Sequence, residues 1–166
     1  MAGFKNKACF VPIIGVIGGS RTDDTFITMA YEVGKLIAKN GWILLTGGLG
    51  GVMEEASRGA YDAGGLVVGI LPNNDKKFSN PFVHVPIVTN MGHARNVILA
   101  HTADALVAVD GEYGTLSEIA IGLKIKKYVL SLRSFNIEGA ISVKTPLEAV
   151  ELLREHFKAL VSLRKA

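Results

Sequence analysis

The sequence is poor in most of the residues that would announce a specialised chemistry. Cys9 is the only cysteine among 166 residues, so no internal disulfide can form and the fold must rest on its core. The histidines, His84, His93, His101 and His156, are spread along the chain without a carboxylate at ligand spacing. Together with the lone Cys9, they predict no metal site. Aromatic residues make up 7% and the net charge is only +3. The basic residues are scattered, with no arginine stripe interleaved with aromatics, so nucleic acid is not an expected partner. No apolar run reaches the roughly 20 residues of a membrane-spanning helix. The opening stretch, MAGFKNKACF, lacks the apolar segment of a secretion signal. These absences predict no membrane partner and make the cytoplasm the expected location. A serine or cysteine triad has no nucleophile motif from which to start.

Glycine is what the chain has in quantity, at 19 residues, beside a globular 49% of hydrophobic residues. The length fits one domain, residues 1–166, with one core. Short apolar runs read as strands: 11–18, with Pro12 tolerated only at the beginning, then 42–46, 66–71, 83–89 near an edge, 105–109 and 128–132. Between them run helical periods. Phe26, Met29, Ala30, Val33 and Ile37 form the first. A second covers Val52 to Ala63, with Glu54 and Arg58 spaced as a surface pair. Others cover 94–103 and Thr115 to about Ile125. The last follows the Thr145–Pro146 cap, with Leu147, Val150, Leu153, Phe157 and Leu160 on one side. Residues 72–82 read as a polar loop. Strands alternating with helices, and apolar along their length, predict a Rossmann-like, doubly wound parallel sheet in a three-layer α/β/α arrangement.

In such a sheet ligands bind beyond the carboxyl ends of the strands. Three glycine turns fall there: GGSRT (18–22), GGLGG (47–51) and DGEYGT (110–115). Each leads toward a helix, whose free N–H groups and partial positive charge suit an anion. The candidate ligand contacts are Gly18, Gly19, Ser20, Gly47, Gly48, Gly51, Val52, Met53, Gly111, Gly114 and Thr115, with the hydroxyls of Thr22 and Thr46 nearby. The second turn fits neither the dinucleotide fingerprint nor a P-loop, lacking the third glycine and the lysine. Thr115 and Glu118 have the spacing of a capping box, which would stabilise a helix start by about 1 kcal/mol without any chemistry. Spacing alone does not separate that cap from a catalytic acid. Arg95, after the turn TNMGH, is open to the same double reading.

Taken together, GGLGGVMEEASRGAYDAGGLVVGILP (47–72) and MGHARNVILAHTADALVAVDGEYGTLSE (91–118) resemble the LOG ("lonely guy") family, also labelled lysine decarboxylases. GWILLTGG, with ADALVAV and GTLSEIAIGLKIKK, is nearer still to the molybdenum-cofactor carrier branch of that superfamily. The resemblance runs from Pro12 to the last helix. LOG enzymes hydrolyse the N-glycosidic bond of nucleoside 5′-monophosphates, and the resemblance implies Arg95 and Glu118 as catalytic residues, with Gly111, Gly114 and Thr115 around the phosphate. A carboxylate suits an oxocarbenium-like sugar and an attacking water; an arginine suits a forked contact to an anion or base. The decarboxylase label finds no lysine in the turns.

The chain departs from the enzyme motif at Asp110, Glu112, Ser117 and Asn96, which stand where the motif has proline, glycine, glutamate and lysine. Carboxylates beside an anion-binding turn would repel phosphate unless they point away. Three functions follow in descending order: a binding or carrier protein for a phosphorylated pterin (molybdenum cofactor) or nucleotide monophosphate, a phosphoribohydrolase, and a nucleotide sensor without turnover. Helix 94–103, apolar around most of its circumference, suits deep burial or a subunit contact. The resembling proteins pair through this helix and the next, which implies a homodimer or homotetramer.

Overall fold

The computed structural model describes residues 10–163; Cys9 lies outside the described residues. Seven strands form the sheet: β1 (Ile13–Gly18), β2 (Ile43–Thr46), β3 (Val67–Leu71), β4 (Val85–Val88), β5 (Ala105–Val109), β6 (Tyr128–Leu132) and β7 (Ile141–Val143). Five α-helices accompany them: α1 (Asp24–Lys39), α2 (Val52–Asp62), α3 (Arg95–Thr102), α4 (Tyr113–Lys124) and α5 (Pro146–Leu163). The strand order is β4-β3-β2-β1-β5-β6-β7 and every neighbouring pair is parallel. The chain therefore has the expected Rossmann-like α/β fold.

Side-chain alternation along the strands divides the core in two. Ile14 and Val16 of β1, with Val107 and Val109 of β5, pack under α1, α2 and α5. Ile17, Leu106 and Ala108 point the other way, against Leu99 and Ala100 of α3 and Ile119 of α4. Both faces are covered, so the inner strands are apolar along most of their length, with Thr46 of β2 and Ser131 of β6 as buried polar residues. On the first face α1 and α2 touch backbone to backbone. A methyl group on Gly34 would enter the Ala56 carbonyl oxygen, and one on Gly59 would enter that of Tyr31.

The order reverses between β1 and β5, because the chain builds outward from β1 to β4 and then returns. That places a crevice beyond the carboxyl ends of these two strands.

Several boundaries differ from the sequence reading. β1 starts after Pro12, whose carbonyl accepts from the Ile43 N–H at 2.9 Å. β4 is an edge strand, as the proline suggested, with β7 at the opposite edge. Its crossover from β3 carries only a 3₁₀ turn, Lys76–Phe78, so Val85, Ile87 and Val88 remain exposed. β7 was missed: ISV has three residues, two of them exposed, and shows no period. Arg58 pairs with Glu55, three residues earlier, and not with Glu54. Leu147 is 54% exposed while Val150, Leu153 and Phe157 are buried, so the apolar side of α5 begins one turn later.

Candidate functional site

The three glycine turns lead to helix starts of three kinds. Asp23 closes α1: its Oδ1 accepts from the Thr25 and Phe26 amides at 2.9 and 3.3 Å. α2 starts at Gly51, which has no capping side chain, but the Val52 N–H is taken by the Gly19 carbonyl at 3.0 Å. α4 starts after Glu112, and no side chain caps it. The capping-box reading of Thr115 is thereby corrected. The helix begins at Tyr113, so Thr115 lies inside its first turn, 2% exposed. Its hydroxyl has no hydrogen-bond partner among the described residues.

A cleft of about 160 Å³ opens at the ends of β1, β2 and β5. Gly18, Gly19 and Ser20 line one side, Gly47 and Met53 the next, and Gly114, Thr115, Arg95 and Glu118 the other. The remaining candidates stand behind this lining. Gly48 has φ +72 and backs onto Leu71 and Gly69. Gly51 is pressed against the Gly19 and Ser20 backbone, and Val52 is fully buried in the core. Gly111 supports the Thr115 side chain from behind. Thr46 serves the turn itself, its hydroxyl accepting from the Gly48 N–H at 3.1 Å.

Arg95 and Glu118 meet at the cleft floor. Arg95 Nη1 lies 3.3 Å from Glu118 Oε1, and both side chains are over nine-tenths buried. The guanidinium also approaches Met53 Sδ at 3.9 Å and fills the space beside Gly47. A β-carbon at Gly47 would sit 2.6 Å from Nη1, so only glycine leaves room for the arginine. Burial pushes the Glu118 carboxyl up to about 7, against the opposing pull of Arg95. Burial lowers the Arg95 pKa and Glu118 raises it. The floor thus holds a cation whose counter-charge comes and goes near neutral pH.

The residues that depart from the enzyme motif take distinct places. Thr22 Oγ1 donates to Asp110 Oδ2 at 2.8 Å, which ties that carboxylate to the segment ahead of α1, outside the cleft. Glu112 does line the cleft. Asn96, buried, donates through Nδ2 to Ser117 Oγ at 3.1 Å and toward the Gly114 carbonyl at 3.4 Å. Ser117 Oγ donates to the same carbonyl at 2.6 Å. This pair holds the start of α4 against α3.

Ile17, Leu49, His93, Asn96 and Glu112 complete the lining and were not among the candidate contacts. Asn96 and Glu112 carried a signal, their departure from the motif. His93 carried none, because it sits in a 3₁₀ turn, Gly92–Ala94, apart from α3. Among the described residues, no group of three or more His, Cys, Asp or Glu could hold a metal. No helix of the described residues is long and apolar enough to cross a membrane.

The comparisons agree with this architecture. A protein from Archaeoglobus fulgidus, itself uncharacterised, is 54% identical over 138 residues, 82% of this chain and 91% of its own length. The solved structure of the molybdenum cofactor binding protein from Rippkaea orientalis superimposes with a TM-score of 0.85 at 37% identity, covering 89% of this chain and 98% of that one. The cytokinin riboside 5′-monophosphate phosphoribohydrolase LOG of Oryza sativa is 35% identical over 94 residues, 54% of this chain but only 38% of the rice protein. Residues 11–158 match the SLOG cluster4 family, and the chain belongs to that family.

Proposed function

We propose that the protein binds or carries a small phosphorylated ligand, a phosphorylated pterin such as the molybdenum cofactor or a nucleotide. The observation that carries this reading is the cleft at the strand-order reversal, where an uncapped helix start, the Thr115 hydroxyl and buried Arg95 converge. An anion there would take the first amides of α4 and the glycine backbone after β1, with Arg95 alongside. The likeness to the Rippkaea orientalis protein supports the pterin. For the molybdenum cofactor, the residues present fit the phosphate end. Titration of the purified protein with molybdenum cofactor and with AMP tests the proposal; saturable binding of either is expected, and its absence for both removes the idea.

A second reading, nucleoside 5′-monophosphate phosphoribohydrolase, is favoured by one observation: Glu118 is buried beside Arg95 with a pKa near 7. Such a group can accept a proton from water or return one to a leaving base. Release of free base from AMP by the protein, and its loss in Glu118→Ala, would establish this activity. Equal release by both would remove Glu118 from it.

We further propose a homodimer or homotetramer working in the cytoplasm. Met91 before α3, Val97 on α3 and Tyr113 at the start of α4 are 50, 44 and 89% exposed, which suits a subunit contact on this side. A monomeric mass in light scattering would contradict it.

A further inference from the structure

Among the ion pairs of the described residues, Arg95 with Glu118 is the one in which both side chains are buried, and both line the cleft. Arg95 takes only Oε1 of the carboxylate, at 3.3 Å; Oε2 has no partner among the described residues. The other contact of the guanidinium is Met53 Sδ, a weak acceptor. Arg95 thus has donors left for an anion, but its charge is already matched. A phosphate at the first amides of α4 brings further negative charge against this floor. Two acidic groups around one buried cation do not both stay ionised. The phosphate keeps its charge, because the helix start donates to it. Glu118 has little water to turn to, and a buried charge that loses its counter-ion is costly.

We infer that loading the cleft is coupled to the uptake of one proton by Glu118: the incoming anion replaces Glu118 as the counter-charge of Arg95, and the carboxyl stays beside it as a neutral acid. The inference rests on the reading of the cleft as a site for a phosphorylated ligand, and it names how that site is regulated. The proton comes from solvent, so the ligand is held at lower pH and let go as the pH rises. Burial already brings the empty-site carboxyl near neutrality, so little is needed to tip it. Arg95, from α3, is the charged group set against Glu118. The turns after β1 and β2 bring Ser20, Gly47 and Leu49, and α2 brings Met53. Glu54 of α2 lies beside Gly50, outside the lining. His93 and Glu112 are the other titratable groups of the lining, and both are exposed.

The test is isothermal titration of the full chain and of Glu118→Gln with AMP and with molybdenum cofactor at pH 6, 7 and 8. Each titration is repeated in two buffers of different ionisation heat, which counts the protons taken up. A ligand phosphate titrates alike in both proteins, so the difference between them belongs to Glu118. The parent takes up about half a proton more than Glu118→Gln at pH 7 and about one more at pH 8. Its affinity relative to the variant falls about tenfold from pH 6 to pH 8. Saturable binding with equal proton counts in the two proteins overturns the inference and leaves the cleft as an anion site. A pH dependence that survives unchanged in Glu118→Gln overturns it as well. Failure of both ligands to bind at every pH removes the reading of the cleft, and this inference with it.

Discussion

The starts of α1 and α4 follow similar glycine turns at the same edge of the sheet, yet one is closed and the other open. At α1 the chain supplies its own anion, Asp23, to two amides. At α4 the capping position holds Glu112, whose side chain leaves the amides alone. A glycine turn before a helix is thus not sufficient for a ligand site. What decides is whether a short side chain reaches back to fill it.

The largest expected break in this contrast is Arg95→Ala. It removes the cation at the open site and leaves Glu118 buried without its partner. Stability should fall by about 3 kcal/mol at pH 8, where Glu118 is ionised. At pH 6 the loss is smaller, because the carboxyl takes a proton instead. Denaturant melts at the two pH values check this, and saturable anion binding should disappear at both.

The second expectation concerns pH. The native Glu118 pKa, about 7, is raised above its ordinary value of 4.5, so the native state holds the proton more tightly than the unfolded chain. Its contribution is fully present below about pH 4.5 and is lost as pH rises to about 7, by up to about 3 kcal/mol. In Glu118→Gln that decline should be absent from the unfolding free energy measured across this window.

The smaller effects sharpen the comparison from either side. Asp23→Ala opens the closed start and should cost about 1 kcal/mol in a denaturant melt, with ligand affinity unchanged. Glu112→Asp closes the open start with a side chain short enough to reach the amides. Stability should rise by about 0.5 kcal/mol while affinity for AMP falls, because the cap now occupies the ligand's donors.

Much of this was legible before any coordinates. β5 and β6 lie where their apolar runs lie, because strands buried on both faces are largely apolar. The convergence of Gly18, Gly47 and Gly114 on one cleft follows from parallel topology, which brings every strand's carboxyl end to one edge. The start of α4 was misplaced because Thr115 and Glu118 imitate a cap by spacing, while burial, which sequence does not display, turns both inward. The fate of Asp110 depended on Thr22, 88 residues away, a contact no local pattern encodes. Gly48 and Gly111 look like ligand glycines in the sequence, but they make room for Leu71 and Thr115.

The missing methyl groups at Gly34 and Gly59 have a mechanical consequence. With main chain against main chain, α1 and α2 have no flexible layer between them that could yield, so they behave as one stiff plate. The wall carrying Met53 is part of that plate. Any tightening around an arriving guest must therefore come from the opposite wall, where α3 and α4 rest on the sheet through pliable side chains such as Leu99 and Ile119.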